Sequence, residues 1–215
     1  MTIELIIFDL DGTLVDSCED IKNALNYCLK LRGLEGFSQD EVRKMVGEGV
    51  KRLIEQAIEK RGAKKDLLEE LLDCFVSYYS NNIAVYTKPY PEVSDILDKL
   101  YDIKKAVISN KLSFLTIKTL EKLNLLHYFD FVAGSDTFSQ QKPSPVPILE
   151  TMKKFNVSQE NTLIVGDSNI DIETGKSAGI KTVAVTYGYR ERELLKDADF
   201  IIDRFSDLLS IVRKT

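Results

Sequence analysis

Residues 6–17 read "IIFDLDGTLVDS": three apolar residues run straight into Asp9, Asp11 follows two positions later, and Gly12-Thr13 turns the chain. The longer run 3–8, "IELIIF", is short, apolar and rich in β-branched residues. That is the pattern of a strand buried on both faces. Residues i and i+2 of an extended segment point the same way, so both carboxylates can address one site at the strand end. Like charges held close together resist simultaneous ionisation. The rest of the chain must therefore supply what makes the pair tolerable.

Downstream of the motif the pattern is helical. Ile21, Ala24, Leu25, Cys28 and Leu29 mark one helix face, and Ser38 with Glu41 makes a capping box for a second helix. Val50, Leu53, Ile54, Ala57 and Ile58 mark a third, and Leu68, Leu71, Leu72, Phe75 and Tyr79 a fourth. After "YTKPYPEV" (86–93) the style changes. Helical patterns near 91–101, 112–124, 145–155 and 169–178 now alternate with strand patterns at 105–109, 129–134, 162–166, 181–186 and 200–203. Alternating units of this kind predict an α/β fold, a doubly wound parallel sheet of Rossmann type. A lone strand cannot bury itself, so residues 3–8 belong to that sheet. The expected organisation is an α/β core of 1–14 and 85–215 with an inserted α-helical cap of 15–84, hinged near 14–17 and 84–88.

Composition narrows the function. The 215 residues are 44% hydrophobic and 29% charged, an ordinary globular balance. A net charge of −5 without basic clustering argues against a nucleic-acid partner. The first residues carry no basic segment and no apolar run long enough for a signal or a span, so no membrane partner and a cytoplasmic location are expected. Cys18, Cys28 and Cys74 form no CxxC, which suggests reduced thiols and not a disulfide frame. The chain has no P-loop motif, and its one histidine, His127, leaves a serine or cysteine nucleophile without an evident base.

In a doubly wound sheet, ligands bind beyond the C-terminal strand ends. Asp9, Asp11 and Thr13 follow the first strand, Ser109-Asn110-Lys111 the second, and Gly166-Asp167-Ser168 a later one, with Asp171 on the next helical turn. Lys142 precedes "PSPVP". Converging carboxylates invite a hard divalent cation with oxygen ligands, and Mg²⁺ also accepts phosphate oxygens in its shell. A hydroxyl, an amide and an ammonium around it can grip phosphate oxygens. These are the parts of a phosphoryl-transfer site. Plainer readings stand beside it: a helix-start charge for Asp171, a solvated lysine for Lys142, a loop-shaping role for Asn110.

The set Asp9-x-Asp11-Gly12-Thr13, Ser109-Asn110, Lys142-Pro143 and Gly166-Asp167-Ser168-x-x-Asp171 resembles the haloacid dehalogenase superfamily, and the insert resembles its helical-cap branch. The resemblance covers essentially the whole chain. It implies that Asp9 is a nucleophile forming an aspartyl-phosphate and that Asp11 is the general acid and then base. It implies Mg²⁺ held by Asp9, the Asp11 main-chain carbonyl, Asp167 and Asp171, and phosphate held by Ser109 and Lys142, with Thr13 and Asn110 beside them. The cap loop "MVGEGVKR" (45–52), with Gly47, Glu48, Gly49 and Lys51, would read the leaving group. That loop, "KPSPVP" and "VTYGY" (185–189) are most similar to the phosphoglycolate phosphatases. The implied partner is a small phosphorylated metabolite, and the protein a monomer or homodimer. The alternatives are a β-phosphoglucomutase-like mutase, a pyrophosphatase or a sugar or nucleotide phosphatase, and, outside enzymes, a silent binding module.

Overall fold

The opening strand decides the layering. Leu5 and Ile7 pack with Ile148 and Met152 on one side, and Ile6 and Phe8 pack with Val93, Ile96, Leu208 and Val212 on the other. Each buried aliphatic or aromatic side chain of this kind contributes about 1.5–3 kcal/mol, so a register slip of one residue would exchange the two faces.

The computed structural model describes residues 2–213. Its strands are β1 (Leu5–Phe8), β2 (Val15–Asp16), β3 (Lys88–Pro89), β4 (Lys104–Ile108), β5 (Phe131–Ala133), β6 (Thr162–Gly166), β7 (Lys181–Val185) and β8 (Phe200–Ile202). Helices α1 (Cys18–Leu31), α2 (Gln39–Met45), α3 (Val50–Lys60) and α4 (Leu68–Asn81) precede α5 (Val93–Lys99), α6 (Ser113–Lys122), α7 (Val146–Phe155), α8 (Asn169–Ser177) and α9 (Leu208–Val212). The main sheet is parallel, in the order β5-β4-β1-β6-β7-β8. The chain leaves β1 for β4 on one side and later crosses to β6 on the other, which makes β1 the switch point where a ligand crevice opens. The doubly wound sheet with a helical insert is as the sequence predicts. The core limits expected at residues 1 and 215 lie outside the described residues.

The insert has its own apolar core. Ile21, Ala24, Leu25 and Leu29 of α1 meet Leu53, Ile54, Ala57 and Ile58 of α3 and Leu71, Phe75 and Tyr79 of α4. Ser38 and Glu41 form the capping box that starts α2. The two chain crossings pair as the short antiparallel β2 and β3, which the sequence pattern did not signal because each is two residues long. A second tie lies beside them: buried Asp20 accepts hydrogen bonds from Tyr86 N (3.0 Å), Thr87 N (2.9 Å) and Thr87 Oγ1 (2.6 Å). Among the described residues, no helix is long and apolar enough to cross a membrane.

The cysteine expectation needs correction. Cys28 on α1 and Cys74 on α4 form a disulfide, their Cα atoms 5.9 Å apart and 46 positions apart in sequence. No local motif signals such a pair; only the packing of α1 on α4 brings the two together. Cys18 is free and buried, and burial pushes its thiol up to about 11, in keeping with a packing role. Closing a loop of this length is expected to stabilise the cap by about 2–4 kcal/mol. Urea unfolding of Cys28→Ser should move its midpoint down accordingly; an unmoved midpoint would mean the bridge contributes nothing.

Candidate active site

Parallel register assembles the site. Phe8 stands opposite Val107 and Val165, so the residues just past the three central strands emerge together. They are Asp9, Ser109 and Asp167, and the Asp9 amide donates to Val165 O at 2.9 Å. The sharp turn after Asp9 needs Gly12, whose φ of +95° is unfavourable for other residues. A Cβ there would also collide with the Asp167 carboxylate.

The two aspartates of the opening motif are held by two different lysines. Lys142 Nζ donates to Asp9 Oδ1 at 2.7 Å and to Asp171 Oδ1 at 2.6 Å. Lys111 Nζ donates to Asp11 Oδ1 at 2.6 Å, the same oxygen that accepts from Ser17 Oγ at 2.5 Å. The motif therefore splits into a deep carboxylate bound to Lys142 and a second one turned toward the insert. Lys142 is not a solvated lysine; it is 3% exposed. Burial works against its charge, but Asp171 and Asp9 more than offset that and hold its proton above the usual lysine range.

Asp9, Asp167 and Asp171 are all buried, and each can offer one carboxylate oxygen such that the three lie within 4.8 Å of one another. Asp171 accepts from Ser168 N at 3.2 Å and Ser168 Oγ at 2.6 Å, the capping box that starts α8, and its bond to Lys142 and its place in the cluster make it more than a helix-start charge. Asp167 accepts from Tyr189 N at 2.7 Å and from Thr13 Oγ1 at 3.3 Å. Burial, reinforced by Asp171 and Asp11, pushes the Asp9 carboxyl up to about 7 despite Lys142. Burial, then Asp9 and Asp171, push Asp167 up to about 8. One lysine leaves this cluster with excess negative charge, and its donors are all oxygen. The residues present fit a hard divalent cation.

A carboxyl that binds its proton more tightly in the folded state stabilises the fold at low pH and loses that contribution as pH rises through its folded value. The thermal midpoint of metal-free protein is therefore expected to fall from about pH 5 to about pH 8. Mg²⁺ competes with the same protons, so it should raise the midpoint more at about pH 8 than at about pH 5.5. Differential scanning calorimetry with and without Mg²⁺ measures both; equal stabilisation at the two pH values would count against a cation at these carboxylates.

The remaining expected residues divide. Ser109 is buried at its strand end and its Oγ accepts from Lys111 N at 3.2 Å. Asn110 Nδ2 donates to Gly47 O of the cap loop and to Lys142 O, both at 3.0 Å, so it joins cap to core. Thr13 is fully buried against Asp167 and does not border the cavity. Gly47 and Gly49 reach the crevice with φ of +123° and +91°. Glu48 and Lys51 do not: Glu48, in the loop before α3, and Lys51, on its first turn, are both exposed. Arg190, absent from the expected set, reaches from the core to the cap loop, donating to Arg43 O at 2.9 Å and to Val46 O. Tyr79 of α4 was likewise not expected, and its hydroxyl bonds Lys111 at 2.9 Å. Lys111 is signalled by its place beside Ser109-Asn110; Tyr79 and Arg190 carry no local signal.

The haloacid dehalogenase-like hydrolase family matches residues 6–185 of this chain. A phosphoglycolate phosphatase of Aquifex aeolicus (strain VF5) is 44% identical over 97% of this chain and 96% of its own length. One from Neisseria meningitidis serogroup A is 34% identical over 92% of this chain and 86% of its own. The crystal structure of a predicted phosphoglycolate phosphatase from Haemophilus somnus 129PT superposes with a TM-score of 0.91, at 31% identity and 98% coverage of both chains. The chain belongs to the haloacid dehalogenase-like hydrolase family. It is a hydrolase of the phosphatase type, similar in sequence to the phosphoglycolate phosphatases along nearly its whole length.

Proposed function

We propose that this protein is a Mg²⁺-dependent phosphate monoester hydrolase that works through an aspartyl-phosphate, with 2-phosphoglycolate as its substrate. The carrying observation is the pairing of each motif aspartate with its own lysine around a buried carboxylate cluster. The near full-length similarity to phosphoglycolate phosphatases supports the choice of ester.

In this reading Asp9 attacks phosphorus. Asp11 gives a proton to the leaving oxygen and then takes one from water, dividing a hard displacement into two easier ones. Lys142 and Ser109 hold phosphoryl oxygens. Asp9, Asp167 and Asp171, with the Asp11 main-chain carbonyl, would hold the cation, which would supply neutralisation of charge on the phosphoryl group. Asp171 also orients Lys142. The helices of residues 15–84 act as a lid that excludes water and reads the leaving group.

Phosphate release from a set of small esters tests this, with Mg²⁺ and then with EDTA. Release preferring 2-phosphoglycolate, lost on chelation and restored by Mg²⁺, is expected. Equal rates over sugars and nucleotides would overturn the substrate; release indifferent to EDTA would overturn the cation.

A further inference from the structure

The crevice between cap and core has two lobes that share Asp9, Asp11, Val46 and Gly47. One contains Lys142, Asp167, Ser168, Asp171 and Arg190, the polar set already described. The other is a chamber of about 60 Å³ on the far side of Asp11. One water needs roughly 10–15 Å³ of such space, so the chamber itself takes a group of few atoms. Its walls are largely apolar: Ile21, Val50, Leu53 and Phe75 from the cap, Leu112 and Leu115 from the core.

Among the described residues, Lys111 is the one cationic side chain bordering this chamber. Two of its three N–H donors are used, on Asp11 Oδ1 at 2.6 Å and on Tyr79 OH at 2.9 Å, and the ammonium lies 4.9 Å from the Tyr79 ring centroid. Tyr79 is on the cap and Lys111 on the core, so closure of the two creates the arrangement. In walls this apolar, a carboxylate on the leaving group would be unbearably desolvated unless it met a cation. A leaving group with no hydrogen-bond acceptor would gain nothing from the ammonium, and a neutral acceptor less than a carboxylate.

We propose that Lys111, braced by Tyr79, is the group that receives a carboxylate on the leaving portion of the substrate, so the chamber selects short carboxylate-bearing phosphate esters. This rests on the phosphatase reading above and adds the residue that sets its specificity. The ammonium contacts both the incoming carboxylate and Asp11, so the substrate's charge competes with Asp11 for it. Occupation of the chamber thereby loosens Asp11 from its partner at the moment it must deliver a proton.

The test compares 2-phosphoglycolate with ethyl phosphate, which matches it in length and lacks the carboxylate. For wild type, Lys111→Met and Lys111→Arg, kcat/KM is measured on both esters. In parallel, both esters are titrated by calorimetry, with Mg²⁺, into Asp9→Asn and Asp9→Asn/Lys111→Met. Loss of the Asp11 contact lowers both esters together; loss of the carboxylate contact lowers one. The ratio of 2-phosphoglycolate to ethyl phosphate is expected to drop roughly 10- to 150-fold in Lys111→Met, the span of one charge-assisted hydrogen bond. KM should carry most of that drop, the binding ratio should fall in parallel, and Lys111→Arg should recover part of it. A ratio unchanged in Lys111→Met and in the titrations would overturn the proposal and leave Lys111 as a partner of Asp11 alone. Wild type that hydrolyses neither ester would defeat 2-phosphoglycolate as the substrate, while the titrations would still decide whether Lys111 selects the carboxylate.

Discussion

Asp9→Asn is expected to lose phosphate release by on the order of 10⁴-fold or more while keeping the wild-type fold. An amide cannot attack phosphorus, and the neighbouring carboxylates are otherwise engaged: Asp11 with Lys111 and Ser17, Asp171 with Lys142 and Ser168, Asp167 with Tyr189 N and Thr13. The fold should tolerate the change because burial and neighbouring Asp171 already push the Asp9 carboxyl up to about 7. A neutral isostere relieves that repulsion, so the thermal midpoint near neutral pH should hold or rise. Acid-quenched wild type incubated with substrate should carry an added phosphoryl group by mass spectrometry, and the variant should not. A variant that kept about a tenth of wild-type turnover would remove Asp9 from the nucleophile's role.

Lys142→Met should damage both activity and stability. The ammonium is buried between Asp9 and Asp171, and its removal leaves two acidic groups facing each other out of water. Breaking a buried pair from one side typically costs about 3–5 kcal/mol. Loss of one stabiliser of the developing charge costs on the order of 10²–10³ in rate. The stability loss should shrink as pH falls below Asp9's folded value of about 7, because a protonated Asp9 no longer needs a partner. Urea unfolding at two pH values and phosphate release at one check both parts. Wild-type stability at neutral pH would show that the pairing is incidental. The two variants thus separate chemistry from support: one removes the attacking group and spares the fold, the other removes the counter-charge and harms both.

Much of the site could be read from residue order because strands carry their chemistry at their ends. Asp9, Ser109, Asp167 and Asp171 stand within a few residues of apolar runs that can only be buried strands, and parallel register does the rest. In the sequence Lys142 is only a lysine before a proline-rich segment; its burial comes from its place between Asp9 and Asp171. Spacing predicts the four helices of the cap but not which of their side chains face the crevice. Glycines at 47 and 49 drew attention to Glu48 and Lys51, whose side chains face out. Beside Val46, Gly47 and Gly49, the cap residues bordering the chamber are Ile21, Val50, Leu53, Phe75 and Tyr79, which the periodicity marks simply as core.

By itself the sequence determined the sheet, the insert and the carboxylate centre. Each is written in a local signal: apolar runs fix strands, spacing fixes helix faces, and aspartates at strand ends fix where charge must be met. Tertiary structure alone decided which cation meets which carboxylate. It also decided that Cys28 joins Cys74, that Asp20 ties the hinge, and that Tyr79 and Arg190 bridge cap and core. Those pairings depend on distances between residues 30 to 150 positions apart, and no local periodicity encodes such distances. They exist once the apolar faces of two separate layers have chosen each other.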